Sequence, residues 1–121
     1  MRYLALFLLT LLSSCEQQAN LPDPYEAGWN REKVCEILNE TSKTRVLKCT
    51  FPPGIGHEKH YHAPHIGYTL KGSRFKMIDE DGTVNIVDVK SGGSWSKDVL
   101  SVHQVQNIGD STAVFLIIEE K

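Results

Sequence analysis

The chain has no run of Lys or Arg, no apolar stretch of membrane-spanning length, no sustained helical period and only three cysteines in 121 residues. Thirteen basic against fifteen acidic residues give a net charge of −2 with histidine neutral, so the chain offers no electrostatic footprint for nucleic acid. Leu4 to Leu12 (LALFLLTLL) carries no ionisable residue. As a helix it would rise about 13 Å, less than half of the roughly 30 Å hydrocarbon core, which argues against a permanent transmembrane helix.

What the N-terminus does carry is a charge followed by a short apolar run. Arg2 and then Leu4 to Leu12 match the positive and hydrophobic regions of a secretory signal. Leu12-Ser13-Ser14-Cys15 follows where the apolar run meets polar residues. It resembles the bacterial lipobox, whose cysteine receives a diacylglycerol before cleavage; the alternative is an ordinary cleaved signal, but no Ala-x-Ala site competes. The expectation is therefore a signal over residues 1–14, lipid attachment at Cys15 and a tether over 15–30, where Pro22, Pro24 and Gly28 interrupt any apolar periodicity. One acyl chain binds a membrane with an association constant of only about 10⁴ M⁻¹, whereas the several chains of a bacterial lipoprotein hold firmly. The implied location is the cell envelope, lipid-anchored and facing the periplasm or the exterior. Removal of the signal leaves 107 residues with a net charge of −3, enough for one small domain, taken as residues 31–121.

Lipidation of Cys15 leaves Cys35 and Cys49 in a compartment that permits disulfides. Val34 to Leu38 and Thr44 to Phe51 flank the polar stretch Asn39 to Lys43, and an antiparallel hairpin centred on Ser42 sets position 35 opposite 49 and 37 opposite 47. Directly opposed strand residues lie within disulfide reach, so the two are either a bonded pair or two small core residues. Beyond them come short runs rich in β-branched and aromatic residues: Ile66–Lys71, Arg74–Ile78, Val84–Val89, His103–Asn107 and Ala113–Ile118. Gly72, Asp81-Gly82, Gly92-Gly93 and Gly109-Asp110 separate them, and Asp81-Gly82 suits a type I′ hairpin turn. Glu119 and Lys121 return the chain to water. Many short strands with regular turns predict an all-β sandwich or barrel.

Four of the five histidines fall within nine residues, His57 to His65 (HEKHYHAPH), and the fifth is His103. Residues two apart on a strand share a face, so His60 and His62 present two imidazoles to one point. A divalent metal takes neutral imidazole nitrogen at about 2.0–2.1 Å and needs further donors from elsewhere in the fold. His103 is the natural distant donor; His57 reads as a solvated loop residue.

Pro52-Pro53-Gly54, His60-x-His62 and Gly67 to Gly72 (GYTLKG) strongly resemble the first motif of the cupins. Gly92 or Gly93 with His103 and Asn107, spaced H-x-x-x-N, resembles the second. The resemblance runs from about Val34 to Glu119 and implies a small antiparallel β-barrel of jelly-roll type holding one metal. By it, His60, His62 and His103 are metal ligands. His65 stands where the family has a glutamate, and the interval from His62 to Gly72 is one residue shorter than usual. With His65, the set is His60, His62, His65 and His103, without protein charge, which favours Zn, Ni, Cu or Fe(II). Strand parity puts His65 in phase with Gly67 and Thr69, so its direction depends on Pro64 or on which face lines the cavity. Asp98 and Leu100 replace the proline and glycine usual before the last histidine. Tyr68, Phe75, Met77 and Trp95 either line the cavity or form plain core.

Two functions follow from the resemblance: a metal-dependent enzyme of oxygenase or isomerase type on a small molecule, or a non-catalytic metal or small-ligand binder of the envelope. Partners are the membrane through the lipid, a small-molecule ligand, and a second copy of the chain as a homodimer. Palmitate labelling that disappears in a Cys15→Ser variant is the expected outcome; secretion of an unlipidated wild-type product would overturn the anchor.

Overall fold

Period-two alternation of apolar residues dictates strands that bury one face, and in the computed structural model, which describes residues 20–121, eleven strands and no helix form among those residues. The signal and Cys15 lie outside the described residues. In chain order the strands are β1 Gly28–Trp29, β2 Glu32–Lys33, β3 Cys35–Glu40, β4 Thr44–Phe51, β5 Gly56–His62, β6 His65–Lys71, β7 Ser73–Asp79, β8 Val84–Val89, β9 Ser94–Lys97, β10 Ser101–Asn107 and β11 Ala113–Glu120. A five-stranded sheet in the order β3-β4-β11-β6-β9 faces a four-stranded sheet in the order β5-β10-β7-β8, and β1-β2 is a separate hairpin. All ladders are antiparallel.

The inner faces follow from the alternation. On β4, Leu47, Cys49 and Phe51 point inward; on β11, so do Ala113, Phe115, Ile117 and Glu119. Phe51, Phe75 and Phe115 meet ring to ring at 5.5–5.8 Å and fill one half of the barrel, while the histidines occupy the other. Glu119 does not return the chain to water. It keeps the inward phase of Phe115 and Ile117, and its buried carboxylate pairs with Arg45, which in turn holds Asp23 at 3.1 Å.

Cys35 lies opposite Cys49 and Ile37 opposite Leu47, and the two sulfurs are bonded across a Cα separation of 4.0 Å. Past Ile37 the pairing shifts by one, to Asn39 opposite Val46, because Leu38 is bulged. Asp81-Gly82 does not form a two-residue turn. Gly82 N–H donates to the Asp79 carbonyl and Gly82 has φ +87°, which makes a three-residue loop of type I turn plus left-handed glycine. The type I′ geometry belongs instead to Asn30 and Arg31, at φ 51° and 70°, between β1 and β2.

Residues 20–30, expected as a free tether, pack on the barrel. Pro24 is fully buried and Ala27 nearly so, and Tyr61 N–H donates to the Pro22 carbonyl at 3.1 Å. Prolines here remove backbone donors from a segment that lies beside the edge strand β5 without a regular ladder, so they serve burial as well as spacing.

Asn107, the last residue of β10, ties neighbouring strands and the following loop together. Its side chain is fully buried with every bond made: Nδ2 donates to the Phe51 and Ser111 carbonyls, both at 2.8 Å, and Oδ1 accepts from Ser73 Oγ at 2.8 Å and Gly109 N–H at 3.0 Å. Truncation would strand several buried partners at about 1 kcal/mol or more each. Asn107→Ala is therefore expected to lower the unfolding free energy by about 3 kcal/mol in a denaturant titration; a loss below about 1 kcal/mol would mean that water replaces these bonds.

Candidate metal centre

Two strands bring the histidines together. β10 pairs with β5 so that His103 lies directly opposite His60, and His62 stands two residues further along the same face. The resulting triangle has Nε2–Nε2 distances of 2.9 Å from His60 to His62, 3.0 Å from His62 to His103 and 3.2 Å from His103 to His60. His60 is fully buried, His62 nearly so and His103 partly exposed.

Hydrogen bonding fixes the chemistry of one corner. A carbonyl oxygen only accepts, so His60 Nδ1 carries the proton it shares with the Glu58 carbonyl at 2.6 Å, and its Nε2 presents a bare lone pair to the other two rings. His62 Nδ1 is buried without a partner. Burial drives His60 down to about 2 and His103 to about 4, and His62 still lower; the neighbouring histidines add to each of these shifts. Neutral imidazole is the metal-binding form. Three nitrogens bound to one ion at about 2.0–2.1 Å must lie roughly 3 Å apart, as these do, so the donor set fits a divalent transition metal. The three histidine donor atoms all lie within 4.8 Å of one another, and among the described residues no carboxylate or cysteine joins them.

His65, the fourth expected ligand, is not part of the triangle. Pro64 sits in the bend between β5 and β6, and His65 enters β6 on the inward phase of Gly67 and Thr69, its ring 4.6 Å from that of His62. Both of its nitrogens are engaged. Trp95 Nε1–H donates to His65 Nε2 at 3.2 Å, and His65 Nδ1 donates to the Ala63 carbonyl at 2.9 Å.

His57 is not a solvated loop residue. It is buried in β5, its ring 3.8 Å from that of His60, and Nε2 donates to the Pro24 carbonyl at 2.9 Å. The cause is a bulge: His57 pairs with Val105 and His60 with His103, so Glu58 and Lys59 together face Gln104. Glu119, on the inward face opposite His65, is the other residue overlooked in the sequence. Burial raises its pKa against the opposing pull of Arg45, and its Oε2 has no partner. Its signal was the alternation Ala113, Phe115, Ile117, Glu119.

No known protein family matches the sequence, and no curated protein resembles it. Solved structures do match the fold. A cupin domain from Bordetella pertussis Tohama I superposes with a TM-score of 0.66 at 21% identity, over 73% of this chain and 92% of that one. A conserved protein with a double-stranded β-helix domain from Klebsiella pneumoniae gives 0.61 at 18%, over 75% and 78%. A predicted oxalate decarboxylase from Thermotoga maritima gives 0.54 at 20%, over 72% and 79%. The all-β, double-stranded β-helix barrel implied by the two motifs is thus the fold of this chain.

Neutral buried histidines couple folding to pH. Each titrates near 6.5 when unfolded, but burial pushes His57 and His103 down to about 4. Below pH 6.5 the unfolded chain binds more protons than the folded one, so stability is complete above that value and is lost as pH falls towards 4. Each imidazole contributes up to about 1.4 kcal/mol per pH unit in this window. Thermal melts of chelator-treated protein are expected to show a falling midpoint from pH 6.5 to 4; a midpoint constant across that range would contradict the buried neutral rings.

Proposed function

We propose that the barrel binds one divalent transition metal through Nε2 of His60, His62 and His103 and presents it to a small molecule. The observation that carries this reading is the triangle of nitrogens 2.9–3.2 Å apart, one corner of which is a bare lone pair set by the Glu58 carbonyl. Bound there, the metal would act as a Lewis acid, its charge undiminished by any carboxylate in the ligand set.

The chain's own residues define the setting. His57 stacks on His60 and, with the Pro24 carbonyl, closes the inner side of the cluster to water. The partial exposure of His103, against full burial of His60, supports ligand approach from the β10 side. Zn, Ni, Cu and Fe(II) all suit nitrogen donors. A predicted oxalate decarboxylase among the structures sharing the fold supports a catalytic role on a small molecule.

The proposal extends to location. Arg2, the apolar run Leu4 to Leu12 and the tetrapeptide ending at Cys15 support export and lipid anchoring at the cell envelope. The Cys35–Cys49 bond supports an oxidising compartment.

Elemental analysis of untagged protein tests the site. About one transition metal per chain is expected, lost in a His60→Ala, His62→Ala double variant that still folds by circular dichroism. Absence of metal from the wild type after incubation with each of the four ions, or unchanged loading in the double variant, would overturn the reading.

A further inference from the structure

His65 packs beside the triangle, against His62, and its Nε2 is taken by a neighbour on the next strand. β9 pairs with β6 so that Trp95 lies opposite Gly67 and Lys97 opposite His65, on the inward face. The indole rests on Gly67 so closely that a Cβ at that position would run into its six-membered ring. Phe115 meets the indole edge-on at 5.8 Å. With the ring seated on two sides, the direction of its N–H is set, and that N–H points at His65 Nε2 at 3.2 Å.

An indole nitrogen donates and never accepts. His65 Nε2 must therefore be the acceptor, and the ring's only proton sits on Nδ1, committed to the Ala63 carbonyl at 2.9 Å. Neither lone pair nor proton is left over. The ring lies 4.6 Å from that of His62, against the side of the cluster, while its donor atoms fall outside the group formed by His60, His62 and His103.

We propose that Trp95 sets the ligand count of the site: its indole N–H holds His65 outside the coordination shell, and the metal keeps an open face for an incoming anion. This rests on the metal reading above. Trp95 is a positioning residue, acting through His65. Closed four-ligand sites are structural, whereas an open position is what a metal needs to engage a further ligand. The indole thus separates a binder from a site that reacts.

The test uses Co(II)-loaded protein with azide as the probe. Trp95→Phe retains an aromatic ring over Gly67 and deletes the N–H. Wild type is expected to bind azide with a change in its visible cobalt spectrum. Trp95→Phe is expected to recruit His65, shift the azide-free spectrum towards four-coordinate cobalt and bind azide at least tenfold more weakly; adding His65→Gln should restore the wild-type response. Equal spectra and equal azide affinities in loaded wild type and Trp95→Phe would overturn the inference alone. A wild type that takes up no cobalt would overturn the metal reading and this inference with it. Histidine nitrogen NMR of the zinc-loaded wild type needs no variant: His65 is expected to keep its Nδ1 proton and an unmetallated Nε2, and a zinc-bound His65 would overturn the proposal.

Discussion

Opposite Gln104, β5 carries two residues, Glu58 and Lys59, where the ladder has room for one, and the extra residue resets the alternation of the side chains before it. The interior of the barrel is organised around that bulge. Without it, His57 would face solvent while His60 and His62 faced in. With it, His57 turns inward beneath His60, and the Glu58 carbonyl accepts the Nδ1 proton of His60. One irregularity therefore supplies both the packing under the cluster and the tautomer of its most buried ring. The N-terminal segment depends on it as well, since the Pro24 carbonyl is seated by the His57 Nε2–H.

Charge is distributed so that the cluster stays neutral. Burial depresses the pKa values of His57, His60, His62 and His103, which keeps these four rings neutral at neutral pH. The one buried carboxylate on the same inner face, Glu119, is committed to Arg45, and Asp23 shares that guanidinium. Such a buried pair is weak grounds for stability, because desolvation offsets much of the attraction. Its effect here is positional. It removes the carboxylate from competition for the histidine nitrogens and anchors the segment before β1 through Asp23. With the interior divided into a paired ionic region and an uncharged imidazole region, a dication bound at the triangle would be left uncompensated.

Much of this was legible in the sequence, because period two is a strong signal where one face is buried. β4 and β8 match the expected runs Thr44 to Phe51 and Val84 to Val89, and the hairpin symmetry gave the opposition of Cys35 and Cys49. Apart from Glu119, which continues the alternation of β11, the residues that escaped notice sit where alternation is broken or a strand is short. Leu38 and the Glu58–Lys59 pair are bulges, which depend on the partner strand and leave no local mark. β9, reading SWSK, is short and polar outside Trp95, and it forms because β6 offers it an edge. Asn30-Arg31 adopts the turn that Asp81-Gly82 suited better, since the seating of Trp29 against Gly56 fixes that hairpin from outside. Among the histidines, spacing identified the three that converge, but whether a neighbouring ring is free to bind depends on an indole thirty residues away.

The segment before β1 belongs to the packing around the histidines, which composition alone concealed. A loose spacer would touch none of them. Instead it runs beside β5, its Pro22 carbonyl on Tyr61 N–H and its buried Pro24 bonded to His57. Pro22, Asp23 and Pro24 hold Tyr61, Arg45 and His57 in turn, and the His57 ring lies 3.8 Å from that of His60. Of the three triangle histidines His103 is the most exposed, and β9, exposed throughout, is the sheet edge beside His65. Trp95 stands on that edge. The two histidines flanking the triangle are thus oriented from different sheets, His57 by the N-terminal segment beside β5 and His65 by Trp95 on β9, so each side of the cluster is set by a contact distant in sequence.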